Sequence, residues 1–513
     1  MADTIAALLA PHPGDSRAIG APGRDWLTQA ELRGLCERTT ETLHALGIDA
    51  SRRVAIVLDN GPEMAAAFIA VACTAVTAPL NPAYREEEFD FYLSDLNATA
   101  LIVAADYTGP ALAAARKRQV AIVRLRADER IAGRFTLHAE TATSLPPCPG
   151  AALPGPDDVA LVLHTSGTTS RPKIVPLLQR NLAASARHIG ATLQLGPQDR
   201  CLNIMPLFHI HGLIAAVLSS LAAGGAIVCT PGFNALQFFG WIDAQKPTWY
   251  TAVPTMHQAI LGRAARNAEI IARSPLRFIR SSSASLPPQV MTELEAAFGA
   301  PVIESYGMTE ATHQMASNPL PPAVRKAGSV GIAAGPQVRV ADPFQDELLP
   351  TGQTGEVVIS GPNVTPGYEA NPDANAKAFF QVQGQRWFRT GDQGVHDSEG
   401  YLRITGRLKE IINRGGEKIS PLEVDEVLMD HPAVQQVVTF AMPHPKLGEE
   451  VAAAVVLREG QHSDEAAIRA FAAERLADFK VPRRVVILDE IPKGATGKLQ
   501  RIGLADKLGL GQA

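Results

Sequence analysis

Apolar positions in the first third of the chain switch between two periods. Residues 32–46 repeat at three- and four-residue spacing, which predicts an amphipathic helix. Residues 54–58 form a short unbroken apolar run, the mark of a buried strand; 63–75 predict a second helix and 101–104 a second strand. The alternation continues with strands at 160–164, 248–253, 277–280 and 302–305, and helices at 237–244 and 288–298. Strands alternating with helices predict α/β layers around a mostly parallel sheet. The charge-free stretch 212–229 is short for a membrane span and holds three glycines and two serines, so it predicts a buried helix followed by a strand.

The pattern then changes. Residues 328–367 are rich in valine, glycine and proline and predict an antiparallel β segment. Beyond a boundary near 407–410 lies a compact βαβ-like region, with helices at 421–429 and 465–476 and strands at 437–441 and 451–457. The expected division is a large unit over 1–408 and a smaller one over 409–513. No fixed-period repeat and no low-complexity tract interrupts either.

Composition narrows the function classes. Of the 513 residues, 46% are apolar and 19% charged, as in an ordinary globular protein. A net charge of -5 without a basic run gives no footprint for nucleic acid. The five cysteines form no CxxC pair, so a reducing compartment is expected rather than a disulfide framework or zinc site. Neither end shows a secretory or peroxisomal address, and a cytoplasmic location is expected.

Four segments carry chemistry. His164-Thr165-Ser166-Gly167-Thr168-Thr169-Ser170-Arg171-Pro172-Lys173 follows an apolar strand. Glycine lets backbone approach a polyphosphate, hydroxyls and amides donate to it, and lysine supplies charge. The GxxxxGK[ST] spacing of a Walker A loop is absent. Glu304-Ser305-Tyr306-Gly307-Met308-Thr309-Glu310 offers an aromatic ring for a purine and a carboxylate for Mg²⁺. Its plainer reading is a strand-to-helix turn capped by Thr309. Trp387-Phe388-Arg389-Thr390-Gly391-Asp392, followed by Gly406-Arg407-Leu408-Lys409-Glu410, places an aspartate in a loop where it can accept ribose hydroxyls, and an arginine nearby. Lys498 sits on a glycine-containing loop, Pro492-Lys493-Gly494-Ala495-Thr496-Gly497-Lys498. Singly, each segment reads equally well as a turn, a surface ion pair or an exposed lysine.

Together, in this order, they identify a pattern. The chain resembles the adenylate-forming superfamily of acyl-CoA synthetases, firefly luciferases and peptide-synthetase adenylation domains, from about Trp26 to Arg501. The resemblance implies an α/β fold: a large N-terminal AMP-binding domain of layered α/β subdomains plus a β segment, and a small mobile C-terminal α+β lid. It implies ATP, Mg²⁺ and coenzyme A as cofactors. Thr165, Ser166, Gly167, Thr168, Thr169 and Lys173 match the loop that holds the β- and γ-phosphates. Ser283, Ala284 and Ser285, with Glu304, Ser305, Tyr306, Gly307, Met308 and Thr309, match the lining of the adenine and α-phosphate. Glu310 matches the Mg²⁺ carboxylate, Asp392 the ribose ligand and Arg407 a ribose and phosphate contact. Lys409 matches a hinge, Gly415 and Gly416 the pantetheine path, and Lys498 a lysine bridging the attacking carboxylate and the α-phosphate.

Met205-Pro206-Leu207-Phe208-His209-Ile210-His211-Gly212 matches the acyl-pocket motif. Amino-acid-activating relatives usually carry aspartate where His209 stands, so an amino-acid substrate is disfavoured. His209-x-His211 admits a metal, but no third ligand is evident. Within the superfamily the chain most resembles oxalate–CoA ligases of plants and yeast, through residues 205–212, 248–255, 278–286, 308–315 and 413–421. That implies a small carboxylic acid, oxalate first; malonate, another short acid or an aromatic acid, and a non-catalytic nucleotide binder, stand as alternatives. A dicarboxylate needs buried donors, and His209, His211, Ser281, Ser283 and His313 are the candidates. A monomer or homodimer is expected. Two departures, Ser170 and Ser285 where many relatives carry glycine and proline, remove none of these groups.

Overall fold

The computed structural model describes residues 3–141, 143–165, 172–493 and 499–511. Two large sheets follow the predicted alternation. The first has seven strands, with Ala121–Ala127, Ala100–Ala104, Arg53–Val57, Val76–Pro79 and Val159–Thr165 running parallel at its centre. The second has nine, with Val302–Met308, Phe278–Ser282, Trp249–Ala252, Arg200–Asn203, Ala226–Cys229 and Arg17–Gly20 parallel. Helices Pro62–Ala72 and Gln179–Thr192 pack against strands of both sheets, and one continuous apolar core results. Strands covered on both faces lose the polar-apolar alternation, which is why they read as unbroken apolar runs.

Element ends differ from the spacing where local chemistry intervenes. Helix Gln29–Ala45 starts earlier than residue 32 because Thr28 and Glu31 form a capping box. Helix Pro62–Ala72 stops short of residue 75, since Val76 and Thr77 already pair with Arg53 and Val54. Residues 212–229 are buried as expected, but the helix His211–Leu218 has π geometry before one α turn, Ser219–Ala222, and strand Ala226–Cys229. Among the described residues no helix is long and apolar enough to cross a membrane.

A third sheet joins Gln337–Ala341, Gly355–Ser360, Gln385–His396, Phe379–Val382 and Leu402–Arg407, all antiparallel. It takes in the predicted antiparallel segment from residue 337 onward and extends past it, while Ile332–Ala333 pairs with His313–Ser317 at the edge of the second sheet. The fourth sheet holds the last strands, Ile412–Arg414 through Arg484–Ile487, with helices Pro421–Met429 and Glu465–Ala473. The βαβ-like expectation holds for one crossover only: Gly448–Leu457 runs parallel to Arg484–Ile487, while its pairing with Val434–His444 is a long antiparallel hairpin.

Candidate active site

Thr165 and Lys173 face each other at the mouth of an antiparallel hairpin. The connecting residues 166–171, with Ser166, Gly167, Thr168 and Thr169, lie outside the described residues. Lys173 points its ammonium over the Tyr368 ring, 4.3 Å from the centroid, and the Tyr368 hydroxyl donates to Glu310 Oε1 at 2.9 Å. Burial pushes the Lys173 ammonium down and the Glu310 carboxyl up, the latter opposed by the Tyr368 bond and by Lys173. Glu310 lies on a single 3₁₀ turn, Thr309–Ala311, after strand Val302–Met308. Thr309 opens that turn and is partly buried; the cap position belongs to Met308, with no side-chain cap.

The turn folds the chain back, so His313–Ser317 pairs antiparallel to Val302–Met308. A Cβ on Gly307 would stand 2.0 Å from the His313 carbonyl oxygen, so only glycine fits. Thr312 and His313 both have positive φ, 50° and 93°. Such backbone persists where the surroundings over-determine it.

On the same strand Glu304 is buried beside its register partner Ser281. Its Oε1 accepts from the Leu286 amide at 2.9 Å, and Oε2 has no partner among the described residues. Burial raises the carboxyl to about 8. Ser305 is buried and Met308 partly buried; Ser283 has a φ of 76°, and Ala284 and Ser285 are exposed. The Tyr306 hydroxyl donates to Asp392 Oδ2 at 2.5 Å, and Arg407 Nε donates to Oδ1 at 3.0 Å. Asp392 therefore ties three strands together. It does not stand in a loop: it lies on strand Gln385–His396, where Glu356 pairs with Gln393 and Val358 with Arg389, so the segment between bulges and turns the carboxylate toward Tyr306. Asp392 raises the half-exposed Arg407 guanidinium further.

The acyl motif enters the π-helix. His209 Nδ1 accepts from the His211 amide, at 3.3 Å. His211 is fully buried; its ring nitrogens meet Ser283 Oγ at 3.0 Å and Thr251 Oγ1 at 2.6 Å. The His211 and His313 rings lie 5.0 Å apart. His211, Ser283, Thr251 and His313 come together, with His209 tied in only through the His211 amide, and Ser281 does not join them: strand alternation turns it to the opposite face, with Glu304.

Lys409 is exposed in the turn between Leu402–Arg407 and Ile412–Arg414. Gly415 and Gly416 form a two-residue hairpin turn with positive φ at both. Lys498 lies outside the described residues, but Lys493 and Leu499 bridge across the segment that carries it. Lys493 also lines a cavity of about 380 Å³ with Pro206, Phe208 and Met256.

Three contributors escaped the sequence reading. Thr251 and Tyr368 gave no local signal, being a strand threonine and a loop tyrosine. Arg280 did give one: a lone charge in a strand otherwise made of apolar and small residues, here with 0% exposure. Among the described residues no cluster of three or more His, Cys, Asp or Glu is arranged to hold a metal, so Glu310 would need ligands from elsewhere.

The geometry has counterparts. The AMP-binding enzyme family matches over residues 7–369, and the AMP-binding enzyme C-terminal domain over 423–498. An oxalate–CoA ligase of Arabidopsis thaliana is 47% identical over 510 residues, covering 97% of each chain. An oxalate–CoA ligase of Saccharomyces cerevisiae is 42% identical, covering 88% of this chain and 86% of its own. The ATP-bound crystal structure of MatB from Rhodopseudomonas palustris superposes with a TM-score of 0.88 at 30% identity, covering 99% of each.

Proposed function

The chain belongs to the AMP-binding enzyme family and is an AMP-forming acyl-CoA ligase, and on that premise we propose that its acid is oxalate. One carboxylate oxygen of the acid attacks the α-phosphorus of ATP. The bond from that phosphorus to the bridging oxygen breaks, and pyrophosphate leaves. The sulfur of coenzyme A then attacks the acyl carbon of the adenylate; AMP leaves and the thiol proton is released.

The observation that carries the choice of acid is the buried polar cluster. We assign the acid's far end to His211, Thr251 and His313, which are buried, and to the partly buried Ser283, where a long-chain acid would need apolar surface instead. A small acid whose far end is anionic can be desolvated there without an unpaired charge. The two oxalate–CoA ligases support the same reading.

The remaining roles are the ones that the family resemblance implies. The hairpin from Thr165 to Lys173 takes the β- and γ-phosphates. Ser283, Ala284, Ser285 and the strand from Glu304 to Met308 line the base and α-phosphate. Asp392, already an acceptor for Tyr306 and Arg407, accepts the ribose hydroxyls. Glu310, a buried carboxylate that accepts from Tyr368 beside that hairpin, would hold a magnesium ion, a hard cation that takes oxygen ligands. There the ion would offset the negative charge of the triphosphate. Lys498 places a second positive charge between the acid and the α-phosphate. Residues 409–513 act as the lid, Lys409 as its hinge, and Gly415 and Gly416 border the path of the thiol; moving Lys498 away lets one lid serve both half-reactions.

The test is pyrophosphate release with ATP, Mg²⁺ and coenzyme A over oxalate, malonate, acetate, a medium-chain fatty acid and 4-coumarate. A response to oxalate far above the others supports the assignment. A stronger response to another acid keeps the ligase and overturns oxalate.

A further inference from the structure

We propose that Arg280 makes the acid pocket selective for a substrate with a second anionic group, acting through His313 as a positioning residue. This rests on the reading of the pocket as one for a small dicarboxylate.

Arg280 sits on Phe278–Ser282, in register with Thr251 on one side and Ile303 on the other. It is among the largest fully buried side chains. Its Nε and Nη1 have no hydrogen-bond partner among the described residues, and no carboxylate there pairs with it. Nη2 makes two long contacts, to His313 Nδ1 at 3.5 Å and Gln314 Oε1 at 3.4 Å. Other enclosed arginines behave differently: Arg389 pairs with Glu356 and Asp346, and Arg501 with Asp425. A guanidinium carries five donors and cannot easily shed its charge, so burying it without an anion is costly. Burial lowers it to about 9.

Position decides what the charge is for. A guanidinium only donates, so His313 Nδ1 accepts, and the neutral ring must then carry its proton on Nε2. Arg280 thus sets His313 as a donor. His313 is held at a φ of 93° by the turn after Glu310, and its ring lies 5.0 Å from His211. His211 in turn meets Ser283, where the strand runs out toward the segment assigned to ATP. The line from the partly buried Ser283 through the buried His211 and His313 to Arg280 is polar and positive at its far end. An acid with one carboxylate reacting near Ser283 would lay its second toward His313 and so balance Arg280. An acid with a neutral tail would leave the buried charge uncompensated, which selects against it.

The test compares Arg280→Gln and Arg280→Lys with the wild type. In Arg280→Gln, kcat/KM for oxalate should fall about a hundredfold, mostly through KM. KM for ATP and kcat/KM for acetate should change by less than about threefold. Arg280→Lys, which keeps the charge, should recover about a tenth or more of the oxalate activity. An unchanged oxalate KM, or an equal loss for oxalate and acetate, overturns the proposal, as does failure of lysine to recover more than glutamine. If the variants do not fold, monomethyl oxalate decides on the wild type. It has nearly the same size but a neutral far end, and its use within about tenfold of oxalate overturns the proposal. A wild type that prefers a different dicarboxylate overturns oxalate alone, and the variants are then read on that acid. One that uses only acids with neutral tails overturns both.

Discussion

Replacing Glu304 by glutamine should make the protein more stable at alkaline pH, and the gain should disappear in acid. Glu304 is 2% exposed, with one oxygen bonded to the Leu286 amide and the other unpartnered. Burial raises its carboxyl from 4.5 to about 8, with the nearby Glu426 adding a smaller push. A carboxyl raised on folding stabilises the fold below its unfolded value, and that contribution is lost as pH climbs through the folded one. The window is therefore 4.5 to about 8. The shift is about 3.5 units at about 1.4 kcal/mol each, so the ceiling is about 5 kcal/mol. Water entry and relaxation reduce it. Glutamine has nearly the same shape and never ionises, so the variant lacks this pH dependence. The assay is the thermal midpoint of both proteins, without nucleotide, at about pH 5 and about pH 9. The variant should gain on the wild type between the two. An identical difference at both pH values would refute the argument that Glu304 is desolvated and ionises at the expense of the fold.

Three other outcomes are expected. Asp392→Asn removes the carboxyl group that accepts from Tyr306 and Arg407, and KM for ATP should rise roughly tenfold to a hundredfold while KM for the acid holds; unaltered ATP kinetics would take Asp392 out of the nucleotide site. Gly307→Ala drives a methyl into the His313 carbonyl and should cost about 1–3 kcal/mol, read as a lower thermal midpoint; an unshifted midpoint would contradict the close approach. Lys498→Ala should slow adenylate formation by about a hundredfold or more yet still convert preformed acyl-adenylate to thioester. Equal loss of both half-reactions in folded protein would contradict the moving lid.

Elements whose cause is local are legible in the sequence. The helices at Pro288–Phe298 and Pro421–Met429 begin at a proline, which fits the first turn, and both carry apolar stripes, so their bounds follow from the residues themselves. Central strands such as Arg53–Val57, Ala100–Ala104 and Val159–Thr165 are apolar runs and announce themselves, while shorter or more polar ones such as Arg200–Asn203 and Phe135–Ala139 do not. What the chain hides is its long-range pairing. Tyr306 lies 86 positions from Asp392, and no local pattern says that the carboxylate near Arg407 also serves that hydroxyl. The bulge that carries Asp392 depends on register with Gly355–Ser360, and its motif reads as a loop for that reason. Ser281 looks like a pocket donor, but it stands one step along the strand from Arg280, the register partner of Thr251, and so faces the other way, with Glu304. Tyr368 reaches Glu310 across 58 positions, and the π geometry of His211–Leu218 leaves no mark in an apolar run.

The most direct test of the central claim follows one oxygen atom. Oxalate labelled with oxygen-18 is incubated with the protein, ATP, Mg²⁺ and coenzyme A, and the products are weighed by mass spectrometry. Attack of a carboxylate oxygen on the α-phosphorus predicts AMP carrying one labelled oxygen, unlabelled pyrophosphate, and oxalyl-CoA in equal amount. Label in inorganic phosphate with formation of ADP would mean attack at the γ-phosphorus, and would contradict the account.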